Sequence, residues 1–507
     1  MIADNLTQTA PEAEFTTYLL GTILACSVVT IALIQWARKK KIAQKIETAR
    51  AKRENKVKEM KKAVAQFKQQ KPEEDGESIV ALSLSELTEK LKNGSLSPDS
   101  VLYAYMEKAV EVHEELNCLT DFFHECQTEL QELKKTEKKG LLYGIPVSLK
   151  ECIDYKGHSS TTGILKRLDQ PLLEDSVIVQ VLKKCGAIPF VATNVSQTLI
   201  CYDCSNPIYG ETLNPLNHKK GPGGSSGGGG ALIGGGGSIL GFGTDTAGSI
   251  RIPAGFCGIC SLKPTGNRLS THGFSECLEG MKSFVSVTGP MARDVDSLAL
   301  CMKALLCEDM FHLDPAVPPL PFNNEIYTSS SPLRIGYYES DGFLMPTPSA
   351  KRAVAETSQL LQKAGHTLIP FSPPKMEYVF YELFLRGIMA DAGTTLLDHL
   401  KGDIVDPNLE PSIRIHRLPV WLKKIFAFVL KPLAPRFAKM YSAACGTGSV
   451  KNLWRLHADA QHYCREYIAE WMRLKLDVLL CPALCPAFTI GYPGQFLGRQ
   501  LYTFKSP

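Results

Sequence analysis

Charge is missing from two places where a soluble chain would carry it. No charged residue occurs from Tyr18 to Trp36, and no Asp or Glu occurs from Arg417 to Lys439, where Lys and Arg recur. Glycine and proline are absent from 38–71, which favours an unbroken helix there. No lysine lies between Lys220 and Lys263, so the glycine-rich run in that interval lacks the Gly-Lys-Ser/Thr end of a phosphate-binding P-loop. No obvious secretory leader is visible, and the positive cluster follows the first apolar run instead of preceding it, as a cleaved leader would require. With sixteen cysteines, this points to a reducing compartment and mostly buried free thiols. The net charge of +4 on 507 residues gives no basis for a nucleic-acid partner, and the length allows two to three domains.

What is present in excess is glycine, from Gly221 to Pro253 (GPGGSSGGGGALIGGGGSILGFGTDTAGSIRIP). A Gly/Ser-rich run is ordinarily a flexible linker. Here it is broken by ALI, SILGF and SIRIP, apolar insertions for which a linker has no use. Gly223-Gly224-Ser225-Ser226-Gly227 matches G-x-S-x-G in form, but polar, turn-rich residues precede it instead of the buried strand a nucleophile elbow needs. Glycine at this density lets backbone N–H groups approach a bound atom, and Ser225, Ser226 and Ser249 stand among them. A hydroxyl nucleophile beside a cage of backbone donors would have this composition.

The cysteine pairs Cys201/Cys204 and Cys257/Cys260 are spaced as C-x-x-C, yet roughly fifty residues separate the pairs where a zinc ribbon would have about 15–20. Neither pair has a clear redox context, and structural thiols are expected.

Taken in order, Tyr18–Trp36 is long enough to span a bilayer as a helix, with aromatic residues at both ends and Arg38, Lys39, Lys40 and Lys41 directly after it. That asymmetry predicts an anchor at 1–37 with the remainder cytoplasmic; a buried core helix is the competing reading. Residues 38–78 read as a basic, solvated helical stalk and linker, suited to anionic lipid, with a weak apolar stripe of Val57, Met60, Val64 and Phe67. A folded domain is expected over 79–507. Ser83-x-x-Glu86 forms a capping box for a helix ending at Gly94, and Ser97-Pro98 opens the next. Strands are expected at 141–150, 187–193, 334–338, 366–370 and 476–480, with helices at 349–364 and 453–473. Their alternation predicts a mixed α/β fold with a wholly covered sheet. Residues 411–440 are apolar and basic at once, and prolines cut them into short helices. They suit a membrane-facing cap; an ordinary pair of core helices with lysines in water is the alternative.

Three elements together carry a family resemblance: Gly144-Ile-Pro-Val-Ser-Leu-Lys150, the GGSSGG loop at 223–228, and G-T-D-x-x-G-S-I-R-x-P from Gly243 to Pro253. The chain resembles the amidase signature family from about residue 80 to near 488, and within it the membrane-anchored members that act on fatty acid amides. The resemblance implies a central mixed twisted sheet covered by helices. It implies a Ser-Ser-Lys triad in which Ser249 attacks, Ser225 relays the proton and Lys150 is the base. The N–H groups of Thr246, Ala247, Gly248 and Ser249 would hold the oxyanion, Leu199 would contact substrate, Ser226 would support the loop, and Asp245 and Arg251 would be structural. No metal or organic cofactor is needed. A homodimer, a lipid amide substrate and location at the cytoplasmic face of an internal membrane, the endoplasmic reticulum, follow from the same resemblance.

Two departures stand out. The family pattern usually has glycine where this chain has Ala247, which would strain the loop if that residue needed a positive φ. Family members also continue for several dozen residues past Cys481–Pro486, so the chain reads as a shortened form. The competing functions are therefore a catalytically impaired membrane scaffold, or an amidase or esterase for another hydrophobic substrate.

Overall fold

The computed structural model describes residues 10–491 apart from Lys138 and Cys485, with side chains from Phe15 onward. The shortened C-terminus expected from the sequence falls mostly on residues outside those described. The chain divides into two compact units, 1–52 and 53–507. The first belongs to a helix that runs Ala10–Gln70. From Phe15 this helix is long and apolar enough to cross a membrane by length and composition, with a mean hydropathy of 2.1 over its most apolar window and none of that window buried.

Within the second unit, the stripe read as part of a solvated stalk is instead buried. Val57, Met60 and Val64 join the main core, and the Phe67 ring stacks on Tyr103 at 4.4 Å. Spacing at i, i+3 and i+7 put these apolar side chains on one face, and burying that face outweighs the basic residues around it.

Eleven strands occur among the described residues: β1 (Leu119–Phe122), β2 (Pro146–Lys150), β3 (Ile188–Thr193), β4 (Ser205–Asn206), β5 (Gly210–Glu211), β6 (Leu240–Asp245), β7 (Cys260–Ser261), β8 (Val287–Ala292), β9 (Arg334–Tyr337), β10 (Thr367–Pro370) and β11 (Val478–Leu480). The central sheet has the order β1-β3-β2-β6-β8-β7. β3, β2 and β6 run parallel, while β1 and β8 are antiparallel to their neighbours. The three parallel strands are buried along their whole length, which is why they read as continuous apolar runs without alternation. Pro189 lies opposite Val147, where the β2–β3 register shifts, so its missing N–H falls at an irregularity. Because β2 and β6 are parallel, their last residues, Lys150 and Asp245, reach the same end of the sheet.

Local signals around the sheet behave as their chemistry requires. Ser83 and Glu86 form both bonds of the capping box, and Gly94 ends that helix in the left-handed region at φ 78°. Ser97 caps the helix Pro98–Leu116. The expectation of one wholly covered sheet needs correction. β9, β10 and β11 form a separate three-stranded parallel sheet in the order β10-β9-β11, with Thr367 and Pro370 exposed and Val478 41% exposed. All described cysteines are free.

Candidate active site

Three segments distant in sequence converge at the end of the sheet where β2 and β6 finish. β2 delivers Lys150, the segment before the helix Gly227–Gly234 delivers Ser225, and the loop after β6 delivers Ser249. The Gly227–Gly234 helix can lie this close only because its first turn, Gly227 to Gly230, carries no side chains. A Cβ on Gly228 would come within 2.3 Å of the Asn194 backbone nitrogen.

Lys150 is 1% exposed. Its Nζ lies 2.7 Å from Ser225 Oγ and 2.8 Å from Thr244 Oγ1. Burial holds the amine below the ordinary lysine range, and the neighbouring Cys152 and Asp245 oppose that shift. A buried amine gives up its proton more readily than one in water and can then take one from a hydroxyl. Ser249 is buried and shares a cavity wall with Ser225, but makes no direct hydrogen bond to it. Contacts of this kind commonly tighten only when substrate is bound.

Asp245 organises the loop between them. Its side chain is fully buried and pairs with Arg251, Oδ1 to Nη2 at 2.9 Å and Oδ2 to Nε at 3.0 Å. The same carboxylate accepts the N–H of Gly248 at 2.7 Å and of Ile250 at 3.1 Å. Pairing with Arg251 and these backbone donors hold it below the usual carboxylate range against the effect of burial. This alters the donor set expected from sequence. Gly248 gives its N–H to Asp245 and does not line the cavity, whereas Thr246, Ala247 and Ser249 line it, and their N–H groups have no partner among the described residues. Gly248 has φ 116°, and a Cβ there would meet Ile252 Cδ1 at 2.6 Å. Ala247 is not in the positive-φ region, so its methyl group brings none of the strain its place in the pattern suggested. Ser226 ties the loops together, its N–H donating to Ser249 O at 3.1 Å and its hydroxyl to Thr244 O at 3.4 Å.

Beyond the serines opens a cavity of about 290 Å³. Its walls are mainly apolar: Leu199, Phe343, Phe380, Phe384, Leu385, Ile388 and Met440. Leu199, which the resemblance implies contacts substrate, lines this cavity and lies in the left-handed region at φ 63°. The aromatic wall was not found from sequence, although Val379–Leu385 is visibly rich in apolar and aromatic residues. Thr244, the second partner of Lys150, was also missed. Glu276 lines the cavity too, and burial raises its carboxyl above the usual range.

Part of 411–440 lines the same cavity through Ile415, Arg436 and Met440. Its outer face exposes Trp421 at 63%, Phe428 at 80% and Leu433 at 78%. Lys424 and Lys431 are exposed, but Lys423 is buried and donates to Ala392 O and Ala444 O, each at 3.2 Å.

Comparison with known proteins identifies the family. The family model described as Amidase matches residues 100–506. The chain is 58% identical to the vitamin D3 hydroxylase-associated protein of Gallus gallus over 439 residues, covering 87% of this chain and 95% of the relative. It is 48% identical to fatty-acid amide hydrolase 1 of Sus scrofa over 484 residues, covering 95% of this chain and 83% of that protein. A solved structure of fatty acid amide hydrolase superposes with a TM-score of 0.76 at 27% identity, covering 92% of this chain and 82% of the other. The match of the family model over most of the chain, together with these relatives and the shared fold, shows that the chain belongs to the amidase signature family of amide-hydrolysing enzymes.

Proposed function

We propose that this chain cleaves fatty acid amides to a free fatty acid and an amine through Ser249, Ser225 and Lys150. The observation that carries the reading is the buried Lys150 amine 2.7 Å from Ser225 Oγ, beside a largely apolar cavity. Ser249 Oγ bonds to the amide carbon while its proton moves to Ser225 and the Ser225 proton moves to the neutral Lys150. The N–H groups of Thr246, Ala247 and Ser249 stabilise the oxyanion; losing one such donor typically costs about 100–1000-fold in rate. The proton returns through Ser225 to the leaving nitrogen as the C–N bond breaks, because an amine leaves poorly unprotonated. Water then attacks the acyl-enzyme, its proton taking the same route, and the carboxylic acid departs.

The lipid class of substrate is supported by the apolar wall of the cavity and by the exposed aromatic face of 411–440, which suits entry from a bilayer. The apolar N-terminal helix serves as a single-pass anchor, with the enzymatic unit at the cytoplasmic face of the endoplasmic reticulum. The test is a fluorophosphonate probe with a long-chain fatty acid amide as competing substrate. Ser249 should be labelled and the label prevented by the amide; a Ser249→Ala chain that still hydrolyses the amide would sink the reading.

A second reading, that the chain acts by association, takes its support from the name of the Gallus gallus relative and its 58% identity. The lysine–serine contact favours the hydrolase, since a scaffold gains nothing from a buried amine.

A further inference from the structure

Away from the cavity, two histidines and a carboxylate meet at the surface near the start of the helix Glu125–Lys134. His158 Nε2 lies 3.2 Å from Glu125 Oε1, and His124 Nε2 lies 3.5 Å from the same oxygen. The three ligand atoms all fall within 4.8 Å of one another. Ligand atoms around a tetrahedral zinc ion are about 3.3–3.5 Å apart, given metal–ligand distances near 2.0–2.2 Å. Two edges of the triangle are thus already close to the required size. The third closes by rotation of His124, whose side chain is 65% exposed.

The remaining ligand is held in place. His158 is buried, with its ring edge-on to both Phe123 and Tyr155 at 4.8 and 5.3 Å between centroids. Phe123 and Tyr155 in turn stack on each other at 4.2 Å. On the other nitrogen, His158 Nδ1 lies 2.7 Å from Asp121 Oδ2. A carboxylate on the far ring nitrogen is the outer partner that metal-bound histidines usually have, since it fixes the tautomer and points the free nitrogen at the ion. Lys56 sits on that same outer side, 2.6 Å from Asp121 Oδ1 and 3.5 Å from His158 Nδ1, and balances the Asp121 charge. Glu125 remains as the charged ligand facing the ion.

We propose that His124, Glu125 and His158 form a binding site for a zinc-like divalent cation, oriented by Asp121 and distinct from the hydrolytic site. Two imidazoles and one carboxylate select zinc or cobalt over calcium or magnesium, which take oxygen ligands. Three protein ligands leave a fourth position open to water. The site is wired to the hydrolytic end of the sheet through a short loop. Thr161 and Thr162, three and four residues after His158, donate their N–H groups to the carboxylate of Glu151, the neighbour of Lys150. An ion that holds His158 therefore also steadies the segment that follows β2.

Cobalt(II), followed by zinc, tests the site on the full-length chain in detergent. The expected result is one cobalt per chain, visible absorption of a tetrahedral nitrogen and oxygen site with no sulfur-to-metal charge-transfer band, and displacement by zinc. His124→Ala and Glu125→Gln, both at exposed or half-exposed positions where folding tolerates change, should each weaken binding at least about tenfold, and Asp121→Asn about 10–100-fold. Unchanged cobalt affinity in His124→Ala and Glu125→Gln would overturn the proposal. So would a spectrum dominated by thiolate, which would assign the ion to cysteine, or the absence of binding at micromolar metal.

Discussion

Lys150 and Ser225 are 75 positions apart in the chain, yet the amine of one and the hydroxyl of the other lie 2.7 Å apart in a buried setting. That contact sets the direction of the pH dependence. Below its lowered pKa the amine is protonated and cannot accept; above it, it can. For an amide substrate, kcat/KM should therefore climb with pH through the Lys150 titration and then level off. Lys150→Ala should lose about 100–10,000-fold in rate and move the optimum upward. A pH–rate profile of that variant, unchanged between about pH 6 and 9, would remove the lysine from the base role.

Gly248→Ala should disable the loop while Ala247→Gly should be tolerated. The first places a Cβ at φ 116°, 2.6 Å from Ile252 Cδ1, and disturbs the N–H that Asp245 holds. Strain of this kind is worth about 1–3 kcal/mol locally, and it falls beside the three free donors. We expect kcat to drop at least about tenfold in Gly248→Ala with KM little changed, and to stay within about threefold in Ala247→Gly. Steady-state kinetics of the two variants side by side decide it.

Membrane attachment should survive loss of residues 1–37 in part. The exposed Trp421 and Phe428 each carry enough apolar area to contribute about 1.5–3 kcal/mol on entering an interface. In the deletion chain, Trp421→Glu with Phe428→Glu should reduce co-sedimentation with phosphatidylserine-containing vesicles at least about tenfold. A deletion product that never binds vesicles would assign that aromatic face another purpose.

Acid should weaken the fold through His113. This histidine is buried and accepts the Leu119 N–H on Nδ1 at 3.0 Å, and burial lowers its pKa to about 4. The unfolded chain takes up the proton near the ordinary value of about 6.5, whereas the folded chain resists until about 4. Stability present above pH 6.5 is therefore lost as pH falls toward about 4, by about 3 kcal/mol at most for this group. His113→Asn, which keeps an acceptor for Leu119, should flatten the fall in Tm over that interval; an equally steep fall would place the acid sensitivity elsewhere.

The parts of the site written in contiguous motifs are legible in the sequence itself: Lys150 at the end of an apolar strand, Ser225 in its glycine loop, Ser249 after G-T-D. What escaped depended on distance relationships. Phe380 and Phe384 escaped because six of the seven residues of Val379–Leu385 are apolar or aromatic, so no pattern in the segment singles out the side chains that face the cavity. The engagement of the Gly248 N–H depends on where the Asp245 carboxylate turns, which no spacing rule shows. The separate sheet escaped for a third reason. Its strands read correctly as strands, but whether β9, β10 and β11 pair with one another or with β2 is decided by packing, not by local pattern.

The helix Gly227–Gly234 opens with four consecutive glycines. Relative to alanine each costs about 0.8–1.0 kcal/mol of helix propensity, so the segment has almost no helical tendency of its own. It stands because Asn194, Cys204 and Pro253 crowd against it on several sides. Ser225 is thus held by its surroundings and not by its own segment. With so little helical tendency of its own, this stretch should loosen when those neighbours do, and the contact between the Ser225 hydroxyl and the Lys150 amine should part with it.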